Sequence, residues 1–203
     1  RAVLDSDVDA VVIESPPWFH PGQASDAVDA GKHVYLAKPV AVDVPGCRTI
    51  EESGRRATER QRCFLVDFQT RTDAFYREAV KRAQYGDSGR IVCGEATYIC
   101  GPTWGEQAQR LEEKPADPEM RLRAWGLDRA LSGDVITEQN IHALDVACWV
   151  LDAAPVHAVG TGGQRARTAG DCWDTFSVTF TFPNDVVVTF CSKQLGAGWD
   201  DIC

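Results

Sequence analysis

The feature that most constrains the fold is an alternation of strand-length and helix-length apolar patterns over the first 68 residues. Ala10-Val11-Val12-Ile13 is a continuous apolar run stopped by Ser15-Pro16-Pro17, the pattern of a parallel strand buried on both faces. Pro21 and Gly22 then open a helix in which Ala24, Ala27 and Val28 share a face, and Gly31 suits the position just past its end. Residues 33–36 return to strand. Asp43 is a helix cap ahead of Pro45, and Cys47, Ile50 and Ala57 mark the buried stripe of a second helix. Residues 63–68 are strand again. Strand, helix, strand, helix, strand implies right-handed crossovers and a parallel sheet, so this part is α/β.

After Arg71 the rhythm changes. Phe75, Tyr76, Ala79, Val80 and Ala83 make a helical face, residues 86–89 a turn, and residues 91–100 a long strand. Residues 102–122 are polar and proline-containing, which predicts an irregular loop. A helix is expected from about residue 137 to 151, then strands over 156–160, 175–182 and 186–191, the last two joined by a tight connection at Pro183-Asn184-Asp185. This half reads as α+β with a largely antiparallel sheet. The boundary falls at residues 70–73, dividing the chain into units 1–70 and 71–203.

Charge narrows the function. Thirty acidic against 21 basic residues give a net charge of −9, which argues against a nucleic-acid surface. A dinucleotide, with two phosphates held by backbone donors, is compatible with that acidity. No apolar stretch reaches the roughly 18 residues of a membrane span. The eight cysteines contain no CxxC pair and the four histidines are scattered, so the cysteines are expected to be reduced and mostly buried, and no metal site is expected.

Two short motifs carry chemistry. In Glu138-Gln139-Asn140-Ile141-His142, with Asp145 three residues on, Glu138 and His142 would be neighbours on one helix face. A carboxylate beside an imidazole suits proton transfer, although the same spacing also makes an ordinary surface pair. Leu36-Ala37-Lys38-Pro39-Val40 follows a short strand, and open α/β sheets bind ligands outside the carboxyl ends of their strands. A lysine there offers a positive charge to an oxygen on which charge develops, although a lysine after a strand is also an ordinary solvated residue.

The ordered series Val8-Asp9-Ala10-Val11-Val12-Ile13-Glu14-Ser15-Pro16-Pro17, His20, Ala30-Gly31-Lys32-His33-Val34 and Ala37-Lys38-Pro39, followed by Gly133, Glu138, His142 and Asp145, resembles the glucose-fructose oxidoreductase / inositol dehydrogenase / rhizopine-catabolism family. The resemblance implies the C-terminal part of a Rossmann-like sheet, then a domain whose open sheet packs in a homo-oligomer. It implies NAD or NADP as cofactor and a small-molecule sugar or polyol as substrate. Lys38 would lie beside nicotinamide and substrate, His142 would accept the proton, and Glu138 would orient or charge His142. A cis peptide is common in the family's lysine-proline motif. Ser15, Pro16, Pro17 and His20, with Lys38 and Pro39, fall where the family contacts the cofactor; the prolines alone read equally as the end of a strand.

The chain departs from that pattern at Ala37 (glutamate in the familiar motif), Glu138 (aspartate) and Asn140 (glycine). No strand followed by GxGxxG occurs; Gly160-Thr161-Gly162-Gly163 has Arg165 where the third glycine belongs. The fingerprint is expected upstream of Arg1, and the second domain is expected to continue beyond Cys203. Asp145, Trp104 and Arg71 are candidate substrate contacts. Trp104, like Trp125 and Trp173, serves either to stack on a sugar or to pack the core, and Arg71 serves as either an interdomain ion pair or a substrate contact. The expected activity is oxidation of a sugar-like or cyclitol polyol. The alternatives are an NAD-dependent glycosidase or epimerase of the same family, and a non-catalytic or truncated member. A cytoplasmic location is expected, with export left open by the chain's mid-domain start.

Overall fold

The structure, a computed structural model, describes residues 2–114, 116–196 and 200–202. β1 (Ala10–Ile13), β2 (His33–Ala37) and β3 (Phe64–Asp67) form a parallel three-stranded sheet in that order. The crossovers are α1 (His20–Asp29) and α2 (Val44–Glu59). Asp43 caps α2, accepting the Gly46 N–H at 2.7 Å. Gly46 has a packing reason to lack a side chain: a Cβ there would stand 2.8 Å from the Ala41 Cβ and 3.0 Å from the Pro21 ring. Ala24, Ala27 and Val28 of α1 and Ile50 and Ala57 of α2 pack on Val11, Ile13, Val34 and Leu36. Each fully buried valine or leucine here contributes about 1.5–3 kcal/mol.

That sheet is not buried on both faces as the apolar run at residues 10–13 suggests. The two helices cover one side, while Val12 and Leu65, in register on either side of Tyr35, are 65% and 57% exposed.

The second sheet has the order β5-β6-β7-β4-β8, from β4 (Cys93–Cys100), β5 (His157–Gly163), β6 (Thr175–Thr181), β7 (Val187–Gln194) and β8 (Asp201–Ile202). All neighbours are antiparallel except β4 and β7. Ala96, Phe176, Val188 and Phe190 bury their side chains with Ala143, Val135 and Cys172. Gly160–Gly163 lies within β5, where a Cβ on Gly162 would stand 2.4 Å from the Thr175 carbonyl oxygen. These glycines therefore serve a close strand approach rather than a phosphate turn.

Several local expectations change. The predicted loop at 102–122 contains α4 (Gly105–Glu113) and α5 (Pro118–Arg123). Their surfaces are polar, so no apolar stripe announces them; ion pairs Glu106–Arg110 and Glu119–Arg123 lie one turn apart. Asp117 caps α5 by accepting the Glu119 N–H. In α3 (Ala74–Tyr85) only Val80 is buried, and Phe75 is 76% exposed. Of the described cysteines, all free, Cys47, Cys63 and Cys93 are exposed and only Cys172 is buried, against the expectation of mostly buried thiols. Among the described residues no helix is long and apolar enough to cross a membrane.

The helix expected over 137–151 is interrupted. After α6 (Arg129–Ser132) come α7 (Asp134–Glu138) and α8 (Ile141–Leu151). At the break the Asn140 N–H reaches back to the Val135 carbonyl and the His142 N–H only to that of Gln139, so the regular ladder is lost between Glu138 and His142.

Candidate active site between the two sheets

The loops after β1 and β2 leave the same edge of the parallel sheet. The second carries Lys38, joined to Pro39 by a cis peptide. Gly133 brings the opposing segment close. It takes φ +79°, and a Cβ there would stand 3.1 Å from the Val42 Cα, so both its conformation and the approach require glycine.

Across this junction Lys38 Nζ donates to Glu138 Oε1 at 2.7 Å and to the Glu138 backbone carbonyl at 2.5 Å. The side chains are 20% and 8% exposed. Glu138 therefore directs one carboxylate oxygen at Lys38, and no hydrogen bond joins it to His142 among the described residues. The broken helix is the reason: the two residues do not project from one continuous α-helical face. Glu138 Oε2 and His142 Nδ1 are both buried without a hydrogen-bond partner, which leaves an acceptor and a ring nitrogen free for a ligand.

His142 is half-buried, and its pKa lies below the ordinary histidine value. Burial is the main cause and the Lys38 charge adds to it; Glu138, Asp145 and Asp67 act in the opposite direction. A depressed pKa keeps the imidazole neutral near pH 7, the form that accepts a proton. His142 lines a cleft of about 780 Å³ together with Tyr98, Tyr76, Asp73, Thr70 and Gln69. Sequence reading missed these neighbours. Tyr98 sits on a strand whose alternation distinguishes faces but not what lies opposite, and residues 69–73 read only as a boundary.

The other candidates fall in different places. Arg71 and Asp145 meet each other: Nε and Nη2 donate to the two carboxylate oxygens, each at 2.8 Å, and the guanidinium lies 5.2 Å from the Trp149 ring centroid. Of the two readings left open for Arg71, the geometry is that of an ion pair joining the segment after β3 to α8. Ser15 Oγ donates to Gln23 Oε1 at 2.7 Å, and Pro17 is buried at the start of a short 3-10 turn after Pro16. His20 is 1% exposed, its ring nitrogens facing the carbonyls of Pro39 (2.8 Å) and Ser15 (2.7 Å). Trp104 packs edge-on against Trp125, with ring centroids 5.4 Å apart, and covers Gly126; it is not among the residues lining the cleft. Trp173 packs on Phe176 and under Arg129.

Residues 1–68 match the oxidoreductase family's NAD-binding Rossmann fold, and residues 76–201 match the GFO/IDH/MocA C-terminal domain. The chain is 28% identical over 197 residues to an inositol 2-dehydrogenase of Acidothermus cellulolyticus, covering 96% of the chain and 50% of that protein. It is 30% identical over 185 residues to inositol 2-dehydrogenase 2 of Saccharopolyspora erythraea, covering 91% and 47%. The crystal structure of myo-inositol 2-dehydrogenase from Lactobacillus plantarum superposes with a TM-score of 0.75 at 23% identity, over 99% of this chain and 56% of that one. The chain thus spans about half the length of the curated relatives it matches. With its parallel sheet inside one matched region and all but the last residue of its second sheet inside the other, the chain belongs to the GFO/IDH/MocA oxidoreductase family.

Proposed function

We propose that the protein is an NAD(P)-dependent oxidoreductase that oxidises a ring hydroxyl of a cyclitol or sugar-like polyol, or reduces the corresponding ketone. The observation that carries this reading is the convergence of Lys38, Glu138 and His142 at the carboxyl edge of the parallel sheet, with His142 opening on the cleft. The inositol 2-dehydrogenases among its relatives make a cyclitol the first substrate class to test.

The residues present fit a nicotinamide group. Strand-end loops frame the position, and Glu138 Oε2 and His142 Nδ1 are buried there without a hydrogen-bond partner. Ser15, Pro16 and Lys38, which keep accessible surface, would hold it, with the buried Pro17 and Pro39 shaping the two loops, and when bound it supplies the hydride acceptor. The chain's own residues manage the proton and the charge. Neutral His142 takes the hydroxyl proton. Lys38, itself held by Glu138, presents its ammonium to the oxygen as negative charge develops there. Glu138 in this scheme positions Lys38 and sets the field at His142. Residues 1–70 form the cofactor side, residues 71–203 form the substrate side, and a homo-oligomer is part of the same reading.

The test is direct. The full-length protein is titrated with NAD⁺ and NADP⁺, then assayed with inositols and aldoses for formation of reduced nicotinamide. Cofactor binding with polyol-dependent reduction is expected; failure to bind either nucleotide would end the proposal.

A further inference from the structure

We propose that His20 is a positioning residue: its ring ties the Ser15 carbonyl to the Pro39 carbonyl and so sets the loop from which Lys38 projects. The inference rests on the oxidoreductase reading only for the importance it gives to Lys38.

The geometry leaves His20 little other use. At 1% exposure the ring has almost no surface to offer a cofactor. Nε2 lies 2.7 Å from the Ser15 oxygen and Nδ1 2.8 Å from the Pro39 oxygen. Ser15 follows β1 and Pro39 follows β2, so one side chain at the start of α1 spans two adjacent strand-end loops. Pro39 is itself buried and Lys38 precedes it directly, so the position of the Pro39 carbonyl constrains where the Lys38 side chain begins.

The protonation state matters. A neutral imidazole has one N–H, which satisfies one carbonyl and leaves the other facing a nitrogen lone pair; an imidazolium donates to both. Burial lowers the pKa of His20, while the two carbonyl contacts oppose the shift, and no side-chain charge among the described residues contributes. Near neutral pH one bond ties one of the two loops to the start of α1, and the ring packs against the carbonyl of the other. As the pH falls through the depressed pKa the second bond forms and the tie tightens.

The experiment uses full-length wild type, His20→Leu and His20→Gln. Amine labelling by trinitrobenzenesulfonate, without cofactor, is read by peptide mass at Lys38 relative to exposed Lys81. Loss of one hydrogen bond's worth of restraint predicts Lys38 labelling about two- to tenfold faster in His20→Leu. His20→Gln, which keeps one donor, should be partly rescued. A folded His20→Leu protein with unchanged Lys38 labelling overturns the proposal. Should His20→Leu not fold, the ratio in His20→Gln and ring N–H exchange in ¹⁵N-histidine-labelled wild type decide. A slowly exchanging His20 N–H supports the tie, and free exchange overturns it. A wild-type protein that binds no nicotinamide cofactor would sink the oxidoreductase reading, while the labelling ratio would still judge His20.

Discussion

Lys38 Nζ lies 2.7 Å from Glu138 Oε1 and also bonds the Glu138 backbone carbonyl, joining the loop after β2 to the end of α7. Lysine and glutamate thus act as a unit, and His142 feels both charges with opposite signs.

A pH profile separates those signs. If His142 is the base, kcat/KM falls on the acid side as the imidazole is protonated, with an apparent pKa below the ordinary 6.5. Lys38→Met removes a cation that disfavours imidazolium, so the acid limb should move to higher pH. Glu138→Gln removes an anion that favours it, so the limb should move lower. Activity should also fall in both variants. Shifts in the same direction would contradict this electrostatic arrangement.

His142→Asn keeps a polar side chain and removes the proton acceptor. The expected result is a fall in kcat of about 10²–10⁴-fold with cofactor affinity nearly unchanged. Unchanged kcat and an unchanged acid limb would take His142 out of the mechanism.

Arg71 and Asp145 make a two-point ion pair at 2.8 Å, with side chains 42% and 11% exposed. Because the arginine is well solvated, the coupling should be modest, about 0.2–1 kcal/mol, and should shrink with added salt. A double-mutant cycle of Arg71→Ala and Asp145→Ala in urea unfolding measures it. If Asp145 also binds substrate, Asp145→Asn will raise KM beyond what Arg71→Ala does. Equal, small KM effects in the two variants would make the pair structural.

Asp174, fully buried, accepts the backbone N–H groups of Arg165, Ala166 and Arg167. Asp174→Ala leaves buried donors without an acceptor, and thermal or urea unfolding should show a loss of about 2–4 kcal/mol. Asp174→Asn retains one acceptor oxygen and should cost less. A loss under about 0.5 kcal/mol in the alanine variant would mean that water satisfies these donors.

The legible parts of the fold were those where a local rule acts within one element. The run at residues 10–13 announced β1, Asp43 announced the start of α2, and Gly31 (φ +72°) the end of α1. The helices at 105–113 and 118–123 were illegible because exposed ion pairs rather than an apolar stripe line them. Exposure of Val12 and Leu65 was hidden too, since an apolar run states a preference for burial and says nothing of which faces neighbouring elements cover.

For the site, the sequence by itself determined which chemical groups are present and the end of the sheet from which Lys38 emerges, because strand polarity follows from the strand–helix alternation. It also marked His142 and Glu138 as a pair worth testing. Only the tertiary structure decided that Glu138 turns to Lys38 and that Arg71 takes Asp145. It alone buried His20 between two carbonyls and set Tyr98 in the same cleft as His142. Lys38 and Glu138 are 100 residues apart in the chain, and no local periodicity carries that distance. Their meeting depends on the break at residues 139–140 and on the close approach of Gly133 to Val42 from the loop after β2.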